Sequence, residues 1–222
     1  MIDFHIRIHA GEDGLDVASA LRRAALAGLR FAGLLMPSDG DFAPVLAAAE
    51  HVRRLSLYAG IEAVVGVELR HVPPALLPSA VQEARRAGIA LIAVYGESIV
   101  DQVAEGTNFA AAEAGADLLL HPGLIDEETA QLAAEKGVAL ELTASPGHGL
   151  TNARVAALGV HAGCLLVRGS GASSARELPR RSFWPLVVRG AAWSLDGQAQ
   201  KMLETVLRES EEALIRRVMA KG

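Results

Sequence analysis

Polar side chains that can do chemistry alternate with apolar ones in the segment "DFHIRIHA" near the start of the chain. Successive side chains of an extended strand point to opposite faces, so the pattern predicts a strand with Phe4, Ile6 and Ile8 on one face and four polar groups on the other. The four polar groups are Asp3, His5, Arg7 and His9. A buried parallel strand usually carries apolar residues on both faces. The polar row therefore indicates that this face meets water or lines a site.

Further candidate residues stand where apolar runs end. In parallel α/β architectures the reacting groups collect at the carboxyl ends of strands, because side chains and loops from all strands converge there. Glu68 in "GVELRH" and His121 in "LLLHPG" follow this rule. The residues predicted to line one ligand-binding mouth are His5, Arg7, His9, Glu68, Tyr95, Glu97, His121, His148 and Arg168.

Two imidazoles and one carboxylate in this set have the chemistry of a metal site. His5, Glu68 and His121 together are the ligand types of an open catalytic zinc or iron centre. A single histidine at a strand end is more often structural than a ligand. The argument for a site is therefore the convergence of several strand ends on one mouth.

The elements that would position these residues follow a β-α rhythm. Seven short β-rich runs are separated by Ala-rich segments with apolar residues three and four positions apart, which is typical of amphipathic helices. The runs are "IDFHIRI", "LRFAGLL", "IEAVVGVEL", "IALIAVYG", "ADLLLHP", "VALELTA" and "CLLVRG". Such a chain forms a closed parallel barrel or an open doubly wound sheet. The absence of a Gly-rich phosphate loop after the first run disfavours a dinucleotide-binding open sheet.

Length and composition bound the remaining possibilities. A chain of 222 residues with 51% hydrophobic residues is consistent with one barrel domain over residues 1–222. The net charge of -5 disfavours nucleic acid and anionic membranes as partners. The single cysteine, Cys164, excludes a disulfide framework, and the chain shows neither a membrane-spanning run nor a signal peptide. We expect a cytoplasmic protein.

The C-terminal segment "DGQAQKMLETVLRESEEALIRRVMAKG" predicts a long amphipathic helix. Its apolar residues recur at helical spacing, so one face is expected to cover the barrel wall. A homodimer contact through this C-terminal helix is the alternative. The apolar positions are Met202, Leu203, Val206, Leu207, Leu214, Ile215 and Val218.

The motifs resemble those of the polymerase and histidinol phosphatase (PHP) superfamily, most closely its histidinol-phosphatase-like members. "DFHIRIHAGEDG" is similar to the first family motif D-L-H-x-H-T-x-x-S-D-G, "GVEL" to the glutamate motif and "LLLHPG" to the His-Pro motif. The resemblance covers nearly the whole chain. It implies a distorted seven-stranded parallel β/α barrel, and active members use up to three divalent metals to hydrolyse phosphate esters.

The resemblance also implies that most of the metal site has been lost. Metal-ligand positions of the family are replaced at Arg7, Pro37, Tyr95, Ser170 and Ala172. Those retained are His5, Asp13, Glu68 and His121. A guanidinium is permanently charged and cannot bind a metal, so we expect no metal cofactor and an ion pair between Arg7 and Glu68.

Three functions follow from this comparison. The first is a non-hydrolytic pseudoenzyme that binds a phosphate- or carboxylate-bearing small molecule, or a protein partner. The second is a reduced metal-dependent phosphoesterase with one Zn, Mn or Fe ion on His5, Glu68 and His121. The third is an RNA-processing scaffold, because a metal-free relative of this fold is a ribonuclease P subunit. The basic stretch "ARELPRRSFW" fits this third function, whereas the acidic net charge opposes it.

Overall fold

The computed structural model describes residues 1–9, 15–195 and 197–221, apart from the side chain of Ser194. Seven strands alternate with helices along the described chain. The strands are β1 (Ile2–Arg7), β2 (Phe31–Pro37), β3 (Glu62–Leu69), β4 (Leu91–Tyr95), β5 (Leu118–Leu120), β6 (Ala139–Thr143) and β7 (Leu166–Gly169). The α-helices are α1 (Val17–Leu26), α2 (Ala43–Ala59), α3 (Leu77–Arg86), α4 (Thr107–Glu113), α5 (Glu127–Lys136), α6 (Asn152–Ala162), α7 (Trp184–Ala191) and α8 (Gly197–Met219).

The strands form a nearly closed parallel barrel in the order in which they occur along the chain. Each strand pairs in parallel with the next, and the segment after β7 returns to β1. The Arg7 amide donates to the Ala172 carbonyl, and the Gly171 amide donates to the His5 carbonyl, both at 2.8 Å. The seven-stranded parallel barrel with a long C-terminal helix, predicted from the sequence, is confirmed.

Two apolar layers hold the barrel together. Outward residues such as Leu34 and Val67 pack under the helices in the larger cluster of buried side chains. A smaller cluster contains inward residues of the strands together with three residues of α8, which close one end of the barrel. These three are Leu214, Ile215 and Val218. The predicted covering role of the C-terminal helix therefore matches its packing, and its apolar stripe is buried within the chain except at Met202, which is 45% exposed, and at the half-buried Val206.

A bulge interrupts the predicted alternation in β1. Asp3 pairs with Ala32, but the next pairs are Ile6 with Leu34 and Arg7 with Leu35, so the β1 strand contains an extra residue. Phe4 consequently joins the inner layer, whereas Ile6 and Ile8 lie in the outer layer. Opposite the bulge, a Cβ on Gly33 would lie 2.6 Å from the Phe4 carbonyl oxygen. Only glycine leaves room for Phe4 and His5 to share this part of the wall.

The end of α8 is fastened beneath the barrel by a buried carboxylate. Asp117 accepts hydrogen bonds from Arg85 at 3.0 Å and from Lys221 at 2.8 Å, and Arg217 Nε lies 3.7 Å away. No helix among the described residues is both long and apolar enough to cross a bilayer.

Candidate functional site

Four buried side chains meet inside the mouth of the barrel, three from strands β1, β3 and β6 and one from the residue that follows β5: His5, Glu68, Glu141 and His121. His5 lies at their centre, with its Nδ1 2.9 Å from Glu141 Oε1 and its Nε2 3.6 Å from Glu68 Oε2. His121 Nδ1 lies 3.1 Å from Glu141 Oε2, although this contact is not aligned as a hydrogen bond. The predicted convergence of His5, Glu68 and His121 is therefore present.

Glu141 was not among the predicted site residues, although it lies deepest in the cluster. Its side chain is fully buried in β6, and its carboxylate contacts both histidines. The available signal was a lone acidic residue in the apolar run "VALELTA", since an unpaired carboxylate is rarely buried. Its inward direction follows from the two-residue period of β6, which sends Leu140 and Leu142 to the outer layer.

The backbone of His121 adopts a left-handed conformation with φ of 48°. Residues other than glycine rarely adopt positive φ, and such strain often occurs at functional sites. The amide of His121 donates to Glu141 Oε2 at 2.8 Å. Glu141 therefore fixes the backbone of His121 by a hydrogen bond, and its carboxylate lies 3.1 Å from the imidazole.

The charges in the cluster are strongly coupled. Burial disfavours ionisation of both carboxyls, yet His5 and Arg7 lower the pKa of Glu68 to about 2, and the two histidines lower that of Glu141 to about 2. Against the effect of burial, the two carboxylates raise the pKa of His5 to about 9. Burial lowers the pKa of His121 to about 3. Arg7 and the His5 imidazolium therefore balance the two carboxylates within the chain.

The outer part of the mouth is built around Tyr95. Arg7 and Arg70 place their guanidinium carbons 5.6 and 4.3 Å from the centre of the Tyr95 ring. Arg7 Nε donates to Glu68 Oε2 at 2.9 Å, so the predicted ion pair is present. Arg70 is paired with Asp101. Arg70 and Asp101 were not predicted because they lie just beyond strand ends, in loops whose direction the sequence does not reveal.

Histidine rings extend this surface. The His148 ring stacks on the His121 ring with centroids 4.0 Å apart and an interplanar angle of 18°. Tyr95 Oη lies 3.2 Å from His148 Nε2. Burial lowers the pKa of His148, so its imidazole is neutral near pH 7. Tyr95, His121 and His148 therefore form one connected aromatic wall of the mouth.

Several buried nitrogen atoms at the mouth have no hydrogen-bond partner among the residues that the structure describes. Such atoms are costly to bury unless a ligand or water pairs with them. They are His5 Nε2, Arg7 Nη2, Arg70 Nε, His121 Nδ1 and His148 Nδ1.

Other predicted mouth residues lie elsewhere or make other contacts. Arg168 points outward from β7, where its Nε and Nη2 each donate to Glu211 of α8 at 2.7 Å. The alternation of β7 explains this correction, since the neighbouring Val167 belongs to the inner cluster. Glu97 accepts a hydrogen bond from the Asn108 amide at 2.8 Å and thereby secures the start of α4.

The remaining predictions concern the ends of β1 and β7. His9 is half-buried after β1, and its amide donates to the Leu15 carbonyl at 3.1 Å. Asp13, expected as a metal ligand if a metal were bound, lies outside the described residues. Ser170 Oγ donates to the His5 carbonyl at 3.1 Å and so connects the end of β7 to β1, where the barrel closes.

One group of side chains could hold a metal ion. One ligand atom each from His5, His121 and Glu141 lies within 4.8 Å of the others. Two imidazoles and a carboxylate match the protein ligands of a catalytic zinc, and the unpartnered His121 Nδ1 fits such a role. The carboxylate of this group is Glu141 rather than the expected Glu68, whose Oε2 is occupied by Arg7.

Solved structures with the same fold include proteins of several kinds. A chain of archaeal ribonuclease P with mature tRNA superposes with a TM-score of 0.67 at 16% identity, covering 96% of this chain and 91% of that chain. Adenine deaminase from Arthrobacter aurescens gives a TM-score of 0.57 at 14% identity, covering 92% and 77%. An amidohydrolase with bound Zn gives 0.52 at 12% identity, covering 92% and 74%. At these identities the likeness shows the fold alone.

A sequence relative defines the family. No protein-family profile matches the chain. The uncharacterized protein MJ1295 of Methanocaldococcus jannaschii is 30% identical over 224 residues, which cover 97% of this chain and 99% of that protein. The chain therefore belongs to the same family as MJ1295.

Proposed function

We propose that this chain is a PHP-type barrel protein whose mouth binds the oxyanion of a small molecule, a phosphate or a carboxylate, without hydrolysing it. The observation that carries the proposal is the buried Nη2 of Arg7 at the mouth, which has no hydrogen-bond partner within the described part of the chain. Arg7 is held in place by Glu68, and its side chain remains 19% exposed. A fixed guanidinium with a free N–H is a strong donor to an oxyanion.

Arg70 and His148 complete the proposed anion site. Both lie against Tyr95, and each has a buried nitrogen without a partner among the described residues. A phosphate or carboxylate oxygen could accept from Arg7 and Arg70 together, while the neutral His148 donates without adding charge. The permanent positive charge of Arg7 also disfavours binding of a divalent cation beside Glu68. This agrees with the comparison with the PHP motifs, in which Arg7 replaces a metal-binding histidine.

Calorimetric titration of chelator-treated protein with inorganic phosphate and with succinate tests this proposal. We expect one site for at least one of these anions, with affinity reduced about tenfold or more in Arg70→Gln. The matched control is Arg23→Gln, because Arg23 is exposed on α1, and its affinity should equal that of wild type. Absence of binding by both anions, or equal binding by Arg70→Gln, would contradict the proposal.

A second candidate function is favoured by the His5, His121 and Glu141 group. If these residues hold one divalent ion, the ion would supply a Lewis acid and an activated water for attack on a phosphate ester. The three side chains would fix its position, and Arg7 would orient the ester oxygens. Elemental analysis after incubation with Zn or Mn and dialysis tests this: about one equivalent per chain in wild type and none in Glu141→Gln would favour it.

The third candidate is an RNA-processing scaffold. It is favoured by the exposed side chains of Arg180, Arg181 and Phe183, together with Trp193, which is 85% exposed. Arginine beside exposed aromatic rings suits phosphate contacts and base stacking. The fold likeness to a chain of archaeal ribonuclease P is consistent with it. Binding of a structured RNA that weakens steeply with salt, and that is lost in Arg180→Glu/Arg181→Glu, would support this function over the first.

A further inference from the structure

Helix α2 presents an apolar surface to solvent. Leu57 is 83% exposed and Tyr58 is 91% exposed, and Leu46 on the same helix is 40% exposed. Only Val45 and Val52 of this helix are fully buried. Large apolar side chains that cluster on one exposed face mark an interaction surface more often than single exposed ones do. None of the other described segments covers this face.

The exposed face of α2 is complementary to itself. Helical positions advance by about 100° per residue, so Leu46, Ala47, Glu50, Arg54, Leu57 and Tyr58 fall on one face opposite Val52.

These six positions are symmetric about position 52. An antiparallel helix pair with a two-fold axis at that level sets Leu46 opposite Leu57 along one flank of the contact and Ala47 opposite Tyr58 along the other. Glu50 of each copy then faces Arg54 of the other copy, near the centre of the contact. Leucine meets leucine on one flank, the tyrosine ring lies over the small alanine on the other, and each carboxylate meets a guanidinium.

A groove beside α2 provides room for such a partner. It has a volume of about 860 Å³ and is lined by Leu46 and Leu57, by the outward residues Ala63 and Val65 of β3, and by Met219 at the end of α8. Leu46 and Leu57 lie on the flank of α2 that borders this groove, so the antiparallel pairing brings Leu57 of a second copy to its edge. Burying these apolar side chains between the two copies would favour association.

We propose that this surface binds a second copy of the chain, through an antiparallel contact of the two α2 helices. Glu50 already contacts Arg53 and Arg54 within its own helix, the latter at 3.9 Å. In the pair, the same carboxylate also faces Arg54 of the second copy. The dimer contact is therefore assigned to α2 and not to the C-terminal helix, most of whose apolar stripe packs on its own barrel.

Light scattering coupled to size exclusion, at a chain concentration of about 100 µM, tests the proposal. Wild type should elute with twice the 23.2 kDa chain mass. Leu57→Glu should elute as a monomer with an unchanged far-ultraviolet circular dichroism spectrum, although its melting temperature falls as the stabilisation by association is lost. The matched control is Leu186→Glu, because Leu186 is 51% exposed on α7 and should leave the dimer intact. A monomeric wild type, or a dimeric Leu57→Glu, would overturn the proposal.

Charge reversal distinguishes the contact between copies from the pair within one helix. Glu50→Arg alone and Arg54→Glu alone should each be monomeric, because like charges then face one another across the axis. Mixing the two variants should produce a heterodimer, since every facing pair is again opposite in sign. The double variant Glu50→Arg/Arg54→Glu should dimerise with itself. If the mixture stays monomeric while wild type is dimeric, the dimer uses another surface or register.

Discussion

The guanidinium of Arg7 lies at the mouth of the barrel with its Nε 2.9 Å from Glu68 Oε2, in the position where the PHP resemblance expects a metal-binding histidine. Glu68 is 2% exposed, so its charge must be compensated inside the protein. A permanent cation from β1, which is separated from β3 by β2, reaches across the mouth and provides that compensation. The two residues therefore stabilise the mouth electrostatically with or without a bound ion.

Removing Arg7 should destabilise the fold. In Arg7→Ala, Glu68 keeps the His5 imidazolium but loses the guanidinium at 2.9 Å, and loss of one partner of such a buried pair costs on the order of 3 kcal/mol. Urea unfolding followed by circular dichroism measures the change. Arg7→Ala/Glu68→Gln should recover part of the loss, because it leaves no uncompensated carboxylate. Equal stabilities of wild type and Arg7→Ala would show that the pair contributes nothing.

Glu141→Gln should destabilise the protein and free His121. The amide keeps the shape of the side chain but loses the charge that binds His5, so we expect a loss of about 2 kcal/mol in unfolding free energy. Glu135→Gln, at a surface position of α5, is the control and should change stability by less than about 0.5 kcal/mol. Imidazole proton resonances in NMR spectra should shift for both His5 and His121. Unchanged resonances would mean that Glu141 does not hold the two rings.

Arg168 should matter for stability and not for anion binding. It forms a two-pronged contact with the buried Glu211, so Arg168→Gln should lower the unfolding free energy by about 3 kcal/mol. Arg30→Gln is a close control, because Arg30 pairs with the adjacent but exposed Glu212 and should cost below about 1 kcal/mol. Phosphate affinity should be unchanged in both variants. A loss of phosphate binding in Arg168→Gln but not in Arg30→Gln would show that Arg168 takes part in the anion site.

Stability should depend on pH through Asp3. Burial raises the pKa of Asp3 to about 6, whereas an Asp carboxyl in water has a pKa of 3.8. The rise occurs although the His5 and Ser170 amides donate hydrogen bonds to Asp3, which lower its pKa. Between these pH values the folded protein keeps a proton that the unfolded chain releases. The contribution of Asp3 to the free energy of unfolding therefore falls as pH rises from about 4 to about 6, and stays low above that range.

Asp3→Asn removes this titration. The unfolding free energy of the variant minus that of wild type should increase by about 2–3 kcal/mol from pH 4 to pH 7. Asp16→Asn is the control of opposite sign, because hydrogen bonds from Ser19 lower the pKa of Asp16. Because the pKa of Asp16 lies below 3.8, its difference from wild type should decline mainly below pH 4 and stay nearly flat from about pH 5 to pH 7. A flat difference for Asp3→Asn would show that Asp3 titrates as an exposed carboxyl does.

Local sequence patterns were sufficient for the order and type of elements. All seven apolar runs form strands. Each run is short, is rich in β-forming residues and lies between segments with helical periodicity, so a strand is the element that its pattern predicts. The meeting of His5, Glu68 and His121 also followed, since parallel strands bring their carboxyl ends to one edge of the sheet. The pairing of Arg7 with Glu68 was predicted from their opposite charges at one mouth, on the assumption of neighbouring strands; the ion pair is present, but it spans β2 because the two residues lie on β1 and β3.

Only the tertiary structure decided which way individual side chains point and what meets them across the barrel. The bulge in β1 moved Phe4 inward, the register of β7 turned Arg168 outward to Glu211, and β6 placed Glu141 between two histidines. These contacts join residues far apart along the chain, whereas sequence periodicity describes neighbours within one element. A shift of one residue in a strand exchanges its two faces, so the inside of the mouth depends on strand register, which is set by packing of the whole barrel.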